Sequence, residues 1–141
     1  MPAQSPAPPD LPHNYLRAAG RAMRGRCPRC GEAPLFRKWL KPVDDCPACG
    51  QDWSLQRADD FPPYIAILVT GHLMAPLIIL LAVEVRLGPT AMLAVILPLA
   101  LLLMLGILQP AKGAVIAAQW WHGLVGFTKE RPLAAAAGDL P

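Results

Sequence analysis

Four cysteines, arranged as two closely spaced pairs, constrain this chain more than any other feature. Both pairs read Cys-Pro-x-Cys-Gly, and fifteen residues separate the second cysteine of the first pair from the first cysteine of the second. Two Cys-x2-Cys pairs at about this separation are a strong signature of a zinc site. We therefore predict that a single metal ion is bound by all the cysteines of the chain, namely Cys27, Cys30, Cys46 and Cys49.

A site with four thiolate ligands is expected to be structural. Four protein ligands complete a tetrahedral shell and leave no position for water, so Lewis-acid catalysis is not expected. Gly31 and Gly50 follow the two pairs, and glycine permits the open backbone angles that bring amide groups toward the sulfur atoms. Residues 27–53 are therefore predicted to form a zinc ribbon whose small core is stabilised mainly by the metal.

The residues around the two pairs are expected to support this ribbon. A hairpin between the pairs is expected to pack its apolar side chains over the metal, namely Leu35, Phe36, Trp39, Leu40 and Val43. Arg24, Arg26 and Arg29 are expected to offset the negative charge of the four thiolates. Stacking of Trp53 and Phe36 on nucleic-acid bases is an alternative, but packing is the favoured interpretation, because one or two aromatic residues without a basic groove more often pack.

Three other interpretations of the cysteines stay open. Disulfides are one, although they belong to oxidising compartments. Iron is another, because the same Cys-Pro-x-Cys-Gly knuckle occurs in rubredoxin-like sites and sulfur ligands suit both metals, but a rubredoxin has far more sequence between its knuckles. A thioredoxin-type redox pair is disfavoured, since neither pair has a strand–helix context. Zinc is the cofactor that we predict, with iron as the weaker alternative.

The second half of the chain has the composition of a membrane protein. Hydrophobic residues make up 54% of the sequence and charged residues only 16%, and the charges are concentrated before Pro62. Residues 64–85 and 90–109 are apolar runs, and about twenty helical residues suffice to cross a hydrocarbon core of about 30 Å. The predicted fold is thus a mainly α membrane protein, a two-helix transmembrane hairpin with a small cytoplasmic four-cysteine zinc ribbon.

The distribution of positive charge predicts the orientation of this hairpin. Nine Lys or Arg residues precede the first span, one lies in the turn, and three follow the second span. The positive-inside rule then places both termini in the cytoplasm of a bacterial cell, with the protein as a multi-pass component of the inner membrane. A reducing compartment agrees with a metal site and argues against disulfides.

The remaining segments carry weaker signals. Residues 1–12 contain five prolines and are predicted to be a disordered tail, as are residues 128–141. Residues 13–26 form a short basic amphipathic segment with Asn14 as its helix cap. Pro110 is expected to end the second span, so that residues 110–127 form a separate interfacial helix along the inner membrane surface.

Two ionisable residues of the first span, His72 and Glu84, are candidates for function, because such groups are costly in a membrane. One hypothesis is that His72 contacts haem, copper or a proton path. The favoured hypothesis is a histidine bonded to a neighbouring helix, because residues 91–108 contain no His, Cys, Asp or Glu to complete a site. The chain also lacks a recognisable Ser/His/Asp arrangement and a glycine-rich phosphate loop, so we do not expect an enzyme.

Several of these motifs together resemble a bacterial membrane family catalogued as domain of unknown function 983. The likeness covers about residues 21 to 122. It rests on the first knuckle with its Glu-Ala-Pro-Leu-Phe continuation, the second knuckle, Ala-Asp-Asp at 58–60, Gln-Pro-x-Lys-Gly at 109–113, and the aromatic residues at 120 and 121. Members of that family in alphaproteobacteria often lie beside genes for cytochrome c oxidase subunits and their assembly factors, which implies an accessory role by association.

The expected function is therefore that of a non-catalytic inner-membrane accessory or assembly protein, most specifically for the respiratory cytochrome c oxidase. The expected partners are the lipid bilayer and a larger membrane complex such as the terminal oxidase subunits. The residues expected at the inner interface are Asp59, Asp60, Gln109 and Lys112. One alternative is a membrane-tethered zinc-ribbon adaptor for a soluble protein or, less favoured, a nucleic acid. Another is a rubredoxin-like iron electron carrier.

Overall fold

The computed structural model describes residues 10–128 of the 141-residue chain. Three helices and one small sheet make up this part of the molecule, which confirms the mainly α architecture. The elements in chain order are helix α1 (Tyr15–Met23), strands β1 (Phe36–Lys38) and β2 (Lys41–Pro42), and helices α2 (Phe61–Val83) and α3 (Pro89–Trp121).

Helices α2 and α3 form the predicted hairpin. A five-residue turn joins them, and both helices are long and apolar enough to cross a membrane. The buried residues of α2 are Pro62 in its first turn and, further along the helix, Ala66, Thr70 and Met74. Their spacing of four places them on one helical stripe, so this stripe is the one that faces α3. Most other side chains of the two spans are exposed to the surroundings of the hairpin.

Helix α2 begins slightly earlier than the sequence indicates. It starts at Phe61, with prolines in its first turn, and ends at Val83, whereas the span was predicted over residues 64–85. Proline is favoured in a first helical turn because its missing N–H has no intrahelical partner there. Glu84 lies at the C-terminal cap, where its backbone N–H donates to the carbonyl of Leu80 at 3.0 Å.

Helix α3 does not end at Gln109, and the prediction of a separate helix over residues 110–127 is wrong. The helix continues through Pro110 to Trp121. An internal proline costs a helix about 3 kcal/mol, but burial of apolar side chains beyond it contributes more, about 1.5–3 kcal/mol for each large one. We call residues 110–121 the α3 extension. Its buried residues are Ala111, Gly113, Ile116, Ala117 and Trp120.

Helix α1 packs against the α3 extension, so it is more than a free basic segment. Asn14 caps it as predicted, because its side-chain oxygen accepts from the Arg17 backbone N–H at 2.9 Å. Three alanines on one side are buried, while the arginines lie mainly on the other. The Tyr15 hydroxyl donates to the carbonyl of Ala114 at 3.3 Å. The small side chains of α1 allow its backbone to approach α3 closely.

The prediction of a disordered tail over residues 1–12 is wrong where it can be compared with the structure. Residues 1–9 lie outside the described part, as do 129–141 of the C-terminal tail. Pro12 is fully buried, and Leu11 packs against the core. The Asp10 carboxylate lies 3.0 Å from the Arg21 guanidinium and 3.4 Å from that of Arg17. These contacts hold residues 10–12 against α1.

The ribbon is built from short antiparallel pairings around the cysteines. Strands β1 and β2 pair with Phe36 opposite Pro42, and isolated bridges join Arg26 to Pro34 and Asp45 to Asp52. The ribbon shares one apolar core with α1 and the α3 extension. Its largest members with almost no exposure are Leu35, Trp53, Ile116 and Trp120.

Candidate metal centre

The four cysteine sulfurs converge on one point in the ribbon. All lie within 4.8 Å of one another. The Sγ atoms of Cys27 and Cys49 are 3.9 Å apart, and those of Cys30 and Cys46 are 3.7 Å apart. Four sulfurs at about 2.3 Å from a central zinc ion would be about 3.8 Å from one another in a regular tetrahedron. The structure therefore brings all four residues predicted from the sequence close enough together for one metal ion to bind them.

Each knuckle closes through the glycine that follows it. The Gly31 N–H donates to the Cys27 carbonyl at 2.8 Å, and the Gly50 N–H donates to the Cys46 carbonyl at 2.9 Å. Both glycines have a left-handed backbone, with φ of +76° and +68°, a conformation that costs other residues about 1–2 kcal/mol. The open backbone angles predicted for these two glycines are confirmed.

A further pair of hydrogen bonds anchors the start of each knuckle. The Cys27 N–H donates to the carbonyl of Ala33 at 2.8 Å, and the Cys46 N–H donates to that of Gln51 at 2.9 Å. The two halves of the site are thus near-copies of one another. Each half supplies two sulfurs from one rigid loop, so the four donors are largely preorganised for a central ion.

Protons and backbone amides compete for the sulfur atoms. Burial raises the pKa of Cys27 far above its usual range and also raises that of Cys49. Burial opposes ionisation of Cys30 as well, but backbone N–H groups of Ala33 and Glu32 donate to its sulfur and lower its pKa to about 7. A divalent ion favours the thiolates, and the amide donors would remain as partners that orient and stabilise them.

The donor set fits a structural metal better than the other uses of these cysteines. The four thiols are free, and the sulfur separations are far longer than the 2.05 Å of a disulfide. Three of the four are buried, and the fourth is half-buried. A tetrahedral set of four sulfurs is typical of zinc or iron, so the geometry defines a possible metal site without selecting between the two ions.

Arginine side chains surround the site, in part as the sequence suggested. Arg29 donates to the Cys49 carbonyl at 3.3 Å. Burial raises the pKa of Cys49, and hydrogen bonding by Arg29 opposes that rise. Arg26 donates to the Glu32 carbonyl at 2.7 Å, whereas Arg24 is exposed. Of the three arginines expected to offset the charge of the thiolates, Arg29 makes the most direct contact.

Arg21 is a supporting residue that the sequence analysis missed. Its guanidinium donates to the Arg29 carbonyl at 3.1 Å and also binds Asp10. Its side chain covers Gly31, where an added Cβ atom would lie 2.8 Å from Arg21 Nε. The only sequence signal for this role is the helical spacing of the arginines in α1. That spacing does not indicate which arginine contacts the first knuckle.

Trp53 connects the metal site to the membrane hairpin. It is fully buried, with its ring 6.3 Å from that of Trp120 and 5.7 Å from that of Phe127, measured between centroids. The alternative in which Trp53 stacks on nucleic-acid bases has no exposed ring face to support it. Packing was the favoured interpretation, and it is the one that the structure confirms.

The other candidate residues do not join the metal site. Asp59 and Asp60 are exposed at the start of α2, beside an open cavity of about 390 Å³. The Gln109 side chain lies next to Gly25, and Lys112 is half-buried in the α3 extension.

Both ionisable candidates of the first span also lie apart from the cysteines. Glu84 is exposed at the end of α2. His72 is exposed on α2 and donates through Nδ1 to the Leu68 carbonyl of its own helix at 2.8 Å, so within the described residues the predicted bond to a neighbouring helix is not formed.

These features together define a class, namely a helical membrane hairpin fixed to a ribbon with a four-cysteine site able to hold a metal. Within that class, the chain belongs to the family described as "Protein of unknown function (DUF983)", whose sequence profile matches residues 36–120, more than half of the chain. The match includes the second knuckle, both long helices and the α3 extension up to Trp120, but it begins after the first knuckle. No curated protein and no solved structure matches the chain.

Proposed function

We propose that this protein is a non-catalytic accessory or assembly component of a larger membrane complex. The complex that we propose is the respiratory cytochrome c oxidase of a bacterial inner membrane, with the ribbon and both termini on the cytoplasmic side. The observation that carries the proposal is the position of His72, a polar side chain at the centre of a span and on the side of α2 that faces away from α3.

The helical geometry defines this side of α2. Thr70 and Met74 are buried toward α3, and His72 lies midway between them in sequence, so at 100° per residue it points to the opposite side of the helix. His72 is exposed there. An ionisable side chain facing lipid at mid-membrane is costly, and such residues almost always face protein or water. A further transmembrane helix would cover it.

The surface around His72 suits a helix from another subunit. Gly71 and Ala75 lie beside it and leave a shallow cavity of about 390 Å³, lined also by Ile67 and Leu68. Small residues let helix backbones approach closely in membranes. In the neutral imidazole, donation of the Nδ1 proton to the Leu68 carbonyl leaves the outward Nε2 as an acceptor. The occupant therefore needs a donor such as a hydroxyl or an amide, which a second, identical His72 in this tautomer does not supply.

The attachment of the ribbon supports a role in assembly rather than in recruitment by a mobile head. Trp53 and Leu35 of the ribbon share one core with Ile116 and Trp120 of the α3 extension. A soluble fragment over residues 21–53 would lose that core. The ribbon would thus present a fixed surface at a fixed distance from the membrane, as a component of a complex does. The terminal oxidase is proposed from the gene neighbourhood that the family resemblance implies.

The proposal is tested by gentle-detergent purification of the tagged protein from native membranes. We expect cytochrome c oxidase subunits in the eluate, with haem a if binding occurs late in assembly and without it if binding occurs early. Substitution His72→Ala should reduce their recovery about threefold, the effect of one interhelical hydrogen bond of about 0.6 kcal/mol. Leu102→Ala, at an exposed position of α3, is the matched control and should leave recovery unchanged.

Other outcomes would replace this function. Recovery of soluble proteins alone, unaffected by His72→Ala, would leave the tethered adaptor as the better proposal. A coloured protein with stoichiometric iron and reversible redox spectra would favour the electron carrier. Equal loss of oxidase subunits in His72→Ala and Leu102→Ala would contradict a specific role for the His72 side of α2.

A further inference from the structure

We propose that the β1–β2 hairpin is a membrane-surface anchor. Trp39 at its tip enters the interfacial layer of the bilayer leaflet nearest the ribbon, and Lys38 and Lys41 bind the headgroups of anionic phospholipids. This inference rests on the two membrane spans and not on the identity of any protein partner.

The tip of the hairpin has no role in the core. Leu35 is fully buried and Phe36 and Val43 pack against the core, as expected of the spacer between the knuckles. Trp39 was expected to pack with them, but its side chain is 56% exposed. Leu40 has a left-handed backbone, with φ of +62°, and is half-buried. The turn thus directs Leu40 toward the protein and leaves the indole of Trp39 outside.

The base of the hairpin lies where α3 leaves the membrane. An ideal Cβ atom on Gly25 would be 4.0 Å from the Phe36 ring and 3.8 Å from the Gln109 side-chain amide. Phe36 and Gln109 therefore flank the same residue. Gln109 is about twenty residues from the start of α3, which corresponds to about 30 Å of helix, the thickness of the hydrocarbon core.

The tip is within reach of the interfacial layer. Trp39 is three residues beyond Phe36, a distance of about 10 Å at most in a strand. The headgroup region adds about 5–8 Å to the hydrocarbon core on each side. A side chain about 10 Å from the level of Gln109 is therefore close enough to contact a layer of this thickness when the hairpin lies along the bilayer surface.

Exposed aromatic residues at the start of α2 mark the same depth. Tyr64 lies about twenty residues before the turn between the spans, as Gln109 lies about twenty residues after it. Tyr64 is 70% exposed and Phe61 is 63% exposed. Tyrosine and tryptophan are enriched at the level of lipid headgroups because their rings are amphipathic. Trp39 extends this aromatic belt to the ribbon side of the molecule.

Charge complementarity selects the anionic phospholipids. Arg37 of the hairpin lies 3.6 Å from the Asp44 carboxylate, whereas Lys38 and Lys41 are exposed on either side of the Trp39–Leu40 turn. A lysine close to an anionic bilayer surface favours the bound state by about fivefold. The two lysines favour binding to anionic headgroups, and the indole favours the interfacial layer.

The test uses the full-length protein in lipid nanodiscs and the fluorescence of Trp39. The emission of Trp39 is obtained as the difference between the parent protein and the Trp39→Phe variant, whose core is unchanged because the side chain is exposed. The discs contain brominated lipids with the bromine either near the headgroup or at the centre of the bilayer, with or without phosphatidylglycerol. We expect stronger quenching of Trp39 by the shallow bromine, and a blue shift that increases with phosphatidylglycerol.

Two lysine variants and one control separate lipid binding from a general effect of charge. Lys38→Gln and Lys41→Gln should each weaken the shallow quenching severalfold in the anionic discs only. Arg17→Gln removes the same charge from the far end of α1 and should have no effect. The buried Trp53 keeps its blue emission if the variants are folded.

Three results would overturn the proposal. The first is a Trp39 emission that brominated lipid does not quench and that a soluble quencher reaches freely. The second is equal loss of quenching in the Arg17→Gln control. The third is a Trp39 response to added oligonucleotide in place of lipid, which would assign the hairpin to nucleic acid instead.

Discussion

Gly113 lies where the backbone of α1 packs closely on the α3 extension. A Cβ atom added there would overlap the Ala22 carbonyl oxygen and would lie 2.6 Å from the Ala22 carbonyl carbon. The neighbouring Met23 nitrogen would be 3.2 Å away. The backbone of α1 thus packs directly on α3, and only glycine permits this distance. The same residue ends the Gln-Pro-x-Lys-Gly sequence that contributed to the family resemblance.

Gly113→Ala should therefore separate α1 from the α3 extension. Overpacking of this kind costs about 1–3 kcal/mol, which is expected to exceed the gain of about 1 kcal/mol in helix propensity. The measurement is thermal unfolding in detergent together with limited proteolysis between α1 and the first knuckle.

A second glycine of the same helix provides the control for this prediction. An ideal Cβ atom at Gly106 meets nothing within 4 Å, so Gly106→Ala should leave stability unchanged or increase it slightly. If both substitutions raised the unfolding temperature equally, the close contact between α1 and α3 would be contradicted.

At the scale of the elements, the α3 extension is the part that the sequence could not predict. The two apolar runs and the cysteine pairs have local signatures, so the two long helices and the four-cysteine cluster were predicted from run length and spacing alone. Pro110 is a local signal for a helix end. The free energy gained by burying Ile116 and Trp120 against α1 and the ribbon exceeds the cost of this proline within the helix. Such long-range packing cannot be predicted from a single sequence. The same limit explains why Arg21 was missed and why Trp39 was wrongly expected in the core.

Gln119 is predicted to fix the segment that leads from the ribbon into α2. Its side-chain amide donates to the Arg57 carbonyl at 2.8 Å, and its carbonyl accepts from the Arg57 N–H at 3.0 Å. Gln119→Ala should cost about 1 kcal/mol per lost bond. Hydrogen exchange of the Arg57 amide should then become about fivefold faster or more.

The neighbouring amide serves as an internal reference for the exchange experiment. The Ala58 N–H donates to the Gln56 side-chain carbonyl at 3.0 Å, a bond that Gln119 does not make. Its exchange rate should stay unchanged in Gln119→Ala. Unaltered protection of Arg57, or equal acceleration at both amides, would show that Gln119 does not hold this segment specifically.

At the scale of the whole molecule, the ribbon and the transmembrane hairpin form one body rather than two tethered domains. A single apolar core contains cysteines of the ribbon, alanines of α1, and Ile116 and Trp120 of the α3 extension. Because Cys27 and Cys46 belong to that core, a metal bound by the four sulfurs would stabilise the attachment to the membrane helices as well as the ribbon. Loss of the metal should therefore affect the end of the hairpin that adjoins the ribbon.

The substitution Cys27→Ser tests this coupling. It removes one of four ligands and leaves a hydroxyl in a fully buried position, so the ribbon should unfold, metal content should fall and the amount of protein in the membrane should decrease. Proteases should then also cleave the exposed segment at residues 54–60 faster, because buried Ala58 and the bonds between Arg57 and Gln119 attach this segment to the same core. Unchanged metal content and abundance would contradict a structural role for the metal.

The four-thiolate metal centre is tested by X-ray absorption at the metal edge, with elemental analysis, on the full-length protein purified in mild detergent without added metal. We expect one zinc ion per chain with four sulfur ligands at about 2.3 Å. Stoichiometric iron in the same shell would keep the site but contradict zinc. A folded protein without metal, or a shell containing nitrogen or oxygen ligands, would contradict the four-thiolate centre itself.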